Sequence, residues 1–210
     1  MSRVTVRRHP ERGHYDRETI DAILDEAIVA HVGFVHDGQP FVIPMAFVRV
    51  GDDLFLHGSA GSRLLRTLRD GAPVAVTVTL LDGLVLARSV FNSSMNYRSV
   101  VVLGSATEIA DLEAKREAMR RYTERLMPGR WDEVRTPTDK ELKTTTVLAL
   151  PLDEASAKVR TGPPIDEPED ADAPVWAGVL PLRLVAGDPE PDDGVPPGTP
   201  LPRTIASRDA

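Results

Sequence analysis

A strand-like run, Leu54-Phe55-Leu56-His57, ends in Gly58-Ser59-Ala60-Gly61-Ser62 and enters a helix-like run at Arg63. Small residues ahead of a helix leave backbone N–H groups free. With the hydroxyls of Ser59 and Ser62 and the fixed charge of Arg63, they form a candidate phosphate cradle. The spacing matches neither a P-loop, which needs Gly-Lys-Ser/Thr, nor GxGxxG, and a capped helix with a solvated arginine face is the plain alternative. His57 stands at the mouth of the cradle as a candidate proton donor or substrate contact. A second cluster, Asn96-Tyr97-Arg98-Ser99, sets an aromatic ring, a guanidinium and a hydroxyl at a strand entrance. That set suits an aromatic ligand with an anionic tail, the alternative being Tyr97 packed on Arg98. Trp176 lies in an apolar island, Val175 to Val185, as an interface anchor or a lid.

Other chemistries find little support. The chain has no cysteine, which removes disulfides, thiolate catalysis and thiolate zinc sites and suits a cytoplasmic setting. His31 and His36 are five apart on a strand and point to opposite faces. His9 and His14 lie in a polar lead-in, and there is no HExxH, so no metal site is expected. No GxSxG elbow is present. The net charge of −7 divides unevenly: residues 161–210 carry ten acidic and three basic residues, whereas residues 1–160 carry 22 of each. The balanced part has no basic patch for nucleic acid. Met1 to Asp16 is basic with no apolar run behind it, so no signal peptide is expected, and no run is long enough to cross a bilayer.

The elements that must position these residues are legible from periodicity. Asp16 caps a helix with Ile20, Ile23, Leu24, Ala27 and Ile28 on one face. Ile28 to Val35 and Phe41 to Val50 are strands joined by a hairpin at Asp37-Gly38, and Pro44 requires a bulge or a free strand edge. Leu54 to His57 is a short strand. A helix follows with Leu64, Leu65 and Leu68 inward and Arg63, Arg66 and Arg69 outward. Pro73 to Leu81 and Leu84 to Phe91 read as strands of a second hairpin around Asp82-Gly83. Arg98 to Ile109 is a strand, Leu112 to Met127 a helix, and Thr138 with Glu141 has capping-box spacing. Thr145 to Leu152 is the last core strand. About six strands joined mostly by hairpins, with helices at the edges, indicate a mainly β (α+β) antiparallel barrel. Residues 1–13 form the lead-in, 14–162 the barrel and 163–186 an acidic Pro-rich linker with a docking segment, Trp176 to Pro181. Residues 187–210 read as a disordered acidic tail.

Taken together, the segments resemble the FMN-binding split-barrel superfamily, in its pyridoxamine 5′-phosphate oxidase-like branch near the 5-nitroimidazole-resistance proteins. Ala30 to Val35 with Asp37-Gly38-Gln39-Pro40 resembles its opening hairpin, and Val42-Ile43-Pro44-Met45 its flavin-facing strand. Phe55 to Ser59 with Arg63 is similar to its phosphate turn, and Tyr97 to Gly104 to its strand at the dimer seam. Ser156 to Gly162 and Trp176 to Pro181 resemble its closing signature. The resemblance implies a six-stranded Greek-key split barrel forming a homodimer with two FMN molecules at the interface. Ser59, Ser62 and Arg63 then hold the phosphate beside His57 and Gly58, and Ile43, Pro44 and Met45 face the ring. Tyr97, Arg98 and Ser99 close the site, in the same or the second subunit. The arginine–histidine stretch with which the true oxidase grips pyridoxal has no counterpart after residue 160. The implied function is an FMN-dependent oxidoreductase that takes electrons from a nicotinamide donor and passes them to a small acceptor, such as a nitroaromatic. The alternatives are a non-catalytic flavin or haem binder, with His31 or His57 as axial ligand, and a reductase using F420.

Overall fold

The computed structural model describes residues 2–206. Two antiparallel sheets face one another. The larger contains β1 (Gly13–His14), β2 (Val29–His36), β3 (Gln39–Ala46), β6 (Pro73–Leu86), β7 (Ser94–Ser105), β10 (Ala155–Arg160) and β11 (Gly178–Pro181). Its order is β1-β10-β7-β6-β2-β3, and β11 adds to the far end of β6. The smaller sheet runs β4-β5-β9-β8, from β4 (Val48–Val50), β5 (Asp53–Ser59), β8 (Thr107–Glu108) and β9 (Thr145–Pro151). The helices α1 (Arg17–Glu26), α2 (Arg63–Arg69), α3 (Leu112–Leu126), α4 (Arg130–Glu133), α5 (Asp139–Lys143) and α6 (Arg203–Ala206) lie around them. The fold is the mainly antiparallel split barrel expected. Among the described residues no helix is long and apolar enough to cross a membrane.

Alternation along each strand creates the core. Ala30, Val32 and Phe34 of β2, Val74, Val76 and Val78 of β6, and Val100 and Val102 of β7 point inward. They meet Leu54, Leu56, Leu148 and Leu150 of the smaller sheet. Helix α1 adds Ile20, Ile23 and Leu24, its start fixed by the Asp16 carboxylate, which accepts the Thr19 N–H at 2.8 Å. Helix α2 adds Leu64, Leu65 and Leu68. Thr138 and Glu141 form the expected capping box at α5.

The first hairpin forms at Asp37-Gly38, both at positive φ (50° and 75°), as a two-residue primed turn requires. The expected strand Phe41 to Val50 divides between the two sheets at Phe47, which is 1% exposed. The chain crosses there, and the phenyl ring plugs the corner.

The Asp82-Gly83 hairpin is overturned. Pro73–Leu86 is one continuous strand paired with Ser94–Ser105, and Asp82-Gly83 marks a register shift within it. The true reversal is the segment after Leu86, where Ser93 Oγ accepts from Ala87 N–H and donates to Ser89 C=O. The sequence pattern of a turn and of a bulge is the same, because both need a glycine where the pleat breaks. Strand β10 also went unrecognised as a strand, because its outward face is polar.

The apolar island docks on its own chain. Gly178 to Pro181 pairs antiparallel with Leu86 to Gly83. A Cβ on Gly83 would lie 2.9 Å from the Leu180 carbonyl oxygen and 3.0 Å from Val179 Cγ1. Gly83→Ala is therefore expected to cost about 1–3 kcal/mol of stability and to speed amide exchange across 178–182 relative to β2. Unchanged exchange there would mean that β11 does not depend on this close approach.

Candidate functional site

Strand β5 alternates between Leu54 and Leu56 in the core and Phe55 and His57 on the other face. Its end, the turn and the start of α2 are tightly wired. Ala60 N–H donates to Thr144 C=O at 2.9 Å, Ser62 N–H to Ser59 C=O at 2.9 Å, and Gly61 N–H to Ser59 Oγ at 3.2 Å. Gly58 lets α2 approach, since a Cβ there would sit 3.0 Å from Leu65 Cδ1. The amides of the turn are thus engaged within the protein, while the Ser59 hydroxyl accepts from Gly61 and keeps its own O–H free to donate. The anion-binding capacity expected of the turn therefore rests on the Ser59 and Ser62 hydroxyls and the helix start rather than on the turn's own amides.

What remains is compact. Ser62 is the N-cap of α2 but makes no side-chain cap bond, so its hydroxyl is available. The first-turn N–H groups of α2 have no intrahelical acceptor by construction. The Arg63 guanidinium lies 3.9 Å from the Phe41 ring centroid, a cation–π contact that orients it without neutralising it. No carboxylate pairs with it among the described residues. Two hollows meet at Arg63. One, of about 270 Å³, is lined by Phe34, Ile43, Ser62, Arg63 and Leu64. The other, of about 570 Å³, is lined by His36, Arg63, Arg66, Thr67, Asp70, Gly71 and Ala72. The His36 ring nitrogen Nδ1 is 3.0 Å from Thr67 Oγ1.

The other predicted residues fall elsewhere. Alternation in β3 puts Ile43 at the smaller hollow, Met45 against the core and Pro44 opposite His31 on the outer face of the larger sheet. Three consecutive strand residues cannot share a face. His57 lines neither hollow. It lies half-buried with its ring edge-on to Tyr122, centroids 4.2 Å apart. Tyr97 and Ser99 lie on the outer face of the larger sheet, where the Ser99 hydroxyl donates to Lys158 C=O at 3.3 Å. Arg98 points to the other face. Its Nη2 reaches Glu26 at 2.7 Å and Asp82 at 2.8 Å, so its charge serves the α1–bulge junction. Trp176 is 68% exposed, its ring over Gly178.

Sequence reasoning missed Phe41, Phe34, Arg66 and the His36–Thr67 pair. Arg66 carried a signal, being one turn on from Arg63 on the same helix face. The others come from distant strands.

His57 has a consequence for stability. Burial lowers its pKa, and its Nδ1 is buried with no partner. The unfolded chain takes up a proton near pH 6.5 that the folded protein resists, so stability is full above that pH and falls as pH drops through it. His57→Leu is expected to flatten the decline between pH 7 and pH 5, which in the wild type reaches at most about 1.4 kcal/mol per pH unit. Urea midpoints across that range test it, and parallel curves for the two proteins would refute it.

Comparison with known proteins gives concordant matches. A family model described as pyridoxamine 5′-phosphate oxidase matches residues 16–159. The flavocytochrome Anf3 from Azotobacter vinelandii is 44% identical, with 99% of this chain and 97% of that one covered and a TM-score of 0.93. A protein from Mycobacterium smegmatis described as binding FAD and haem is 46% identical, with 94% and 97% covered and a TM-score of 0.90. A protein from Bacteroides thetaiotaomicron described as a 5-nitroimidazole antibiotic resistance protein is 26% identical, with 70% and 86% covered and a TM-score of 0.59. No curated protein matches the chain.

Proposed function

This chain belongs to the pyridoxamine 5′-phosphate oxidase family, and from that premise we propose that it is a flavin-binding oxidoreductase whose flavin phosphate is held at Ser62 and Arg63. One observation carries the reading: the Arg63 guanidinium, oriented on Phe41 but without a carboxylate partner, lies beside an unengaged hydroxyl, helix-start N–H groups and an open hollow. These groups fit a phosphate oxygen set. Ile43 lines the same hollow with an apolar side chain suited to the remainder of the ligand. The second hollow adds the Arg66 guanidinium past Arg63, with the Asp70 carboxylate also on its wall. A second phosphate finds room there, which favours a dinucleotide flavin over the FMN expected from the sequence. A bound flavin supplies hydride and single-electron transfer, and the protein contributes position and electrostatics. Electrons entering from a nicotinamide donor then leave to a small acceptor, of which a nitroaromatic is one class.

The two relatives matched over nearly their whole length are described as a flavocytochrome and as an FAD- and haem-binding protein, which supports haem as a second cofactor. Of the two histidines considered as axial ligands, His57 is closed in by Tyr122, while His31 is exposed on the outer face of the larger sheet, opposite Pro44 and Thr77. His31 is the better candidate. That outer face also exposes Val29, Val35, Val42 and Val101, an apolar surface of the kind that a second copy covers. A homodimer in the cytoplasm is the arrangement this reading adopts.

Arg63→Ala is expected to weaken flavin retention by about 1–3 kcal/mol, the cost of a lost charge-assisted hydrogen bond. The check is the visible spectrum and the released flavin, identified by chromatography as mono- or dinucleotide. Retention equal to wild type would move the phosphate elsewhere. For haem, His31→Ala should abolish the Soret band of the hemin-reconstituted protein, and a band that persists refutes that ligand.

A further inference from the structure

The described residues bury two cations. Lys115, 6% exposed, has Glu108 at 3.5 Å and donates to Thr145 C=O at 2.9 Å. Arg160, 7% exposed, has no carboxylate. Its one protein acceptor is the Oδ1 of Asn96, through Nη1. Asn96, itself 8% exposed, is fixed in that orientation by donating its amide to Gly162 C=O at 3.1 Å. Nε and Nη2 of Arg160 make no hydrogen bond among the described residues, and neither is a fully buried atom, so both remain within reach of solvent. A guanidinium stays charged, and one that is largely buried without a counter-charge favours an anion at its open donors.

The surroundings add positive charge. Arg160 lies at the end of β10, in register with Tyr97 of β7. The charged neighbour that opposes its ionisation is Arg12, whose closest acid, Glu11, is at 3.6 Å and is shared with His9. Lys158, two residues back on the same face, donates to Arg8 C=O at 3.0 Å. That bond brings the lead-in at Arg8 against the strand. In a chain of net charge −7, this is a cationic island with a buried guanidinium in it. It is not the site at Arg63. Strand β10 and strand β3 are separated by β7, β6 and β2 in the larger sheet, roughly 19 Å at the usual strand spacing.

We propose that Arg160, set by Asn96 and flanked by Arg12 and Tyr97, is a binding site for a small oxyanion, the carboxylate or phosphate group of a second small molecule. The free Nε and Nη2 groups supply the paired donors that such a group takes. Arg12 adds long-range attraction, and the Tyr97 phenol offers a further donor. Within one protomer this site is separate from the phosphate cradle at Ser62 and Arg63, and the two stand or fall separately.

The test uses the full-length protein as isolated, with inorganic phosphate and acetate as probes against chloride at matched ionic strength. For wild type, one of the two anions is expected to raise the melting temperature saturably, by about 2–4 °C. Response to phosphate alone assigns a phosphate-bearing ligand, and response to acetate assigns a carboxylate. Arg160→Met should lose the response. Asn96→Asp, which supplies a counter-charge from within, should lose it too while melting higher than wild type in chloride, so a folded variant is available if Arg160→Met fails. Arg63→Ala should keep the response even where it loses flavin. The proposal is overturned if neither anion gives a saturable rise, or if the response survives in Arg160→Met or in Asn96→Asp.

Discussion

The structure depends on one long pairing, β6 against β7, running from Pro73 opposite Ser105 to Val85 opposite Ser94. A ribbon this long does not stay flat, because each strand carries a right-handed twist. The register shift at Asp82-Gly83 concentrates the bend. On the inner side of the bend, Arg98 binds Asp82 and Glu26 together, tying the irregularity to the end of α1. One half of the ribbon then serves as the centre of the larger sheet, and the other half projects as an arm. Everything that reaches the sheet later in the chain, including β10 and β11, is templated on this pair.

The candidate site inherits its character from what the framework leaves unused. Helix α2 is short and sits where it does because Leu64, Leu65 and Leu68 enter the core and Gly58 admits Leu65. Its N-terminal turn is closed by hydrogen bonds that stay within the protein, so that turn is rigid before any ligand arrives. The groups with spare capacity, Ser62 and Arg63, stand at the rim of two hollows. Several semi-buried arginines are matched, Arg49 with Asp25, Arg88 with Asp166 and Arg98 with Glu26 and Asp82, whereas Arg125 has no ion pair among the described residues.

Much of the fold was legible because period and punctuation carry it. The Asp16 cap, the Asp37-Gly38 turn, the α2 stripe and the Thr138 capping box each follow from local chemistry and appear as expected. The failures share a cause. Asp82-Gly83 looks locally like a turn, and only the partner strand decides that it is a bulge. Strand β10 has a polar outward face whose burial comes from residues far away in sequence. For the site, Arg63 and Ser62 were legible as helix-start chemistry. Ile43, Pro44 and Met45 were grouped by a motif, although strand alternation alone separates Pro44 from its neighbours. Arg98 was read as a ligand residue because its two carboxylates come from α1 and from the bulge. Arg160 gave no sign at all, since an arginine that lacks a counter-ion is recognised only once every neighbour is known.

Strand β11 lies along the outer edge of the arm, pairing with residues 83–86 of β6. Without it, that stretch would present a row of unsatisfied amide and carbonyl groups flanked by Leu84 and Leu86, both of them exposed. Such an edge is a template for any extended peptide. The segment from 178 to 181 therefore works as a built-in selvedge. It finishes a border that the rest of the chain leaves raw, and a protein cut short before it would expose a surface prone to sheet-to-sheet aggregation rather than merely lose a tail.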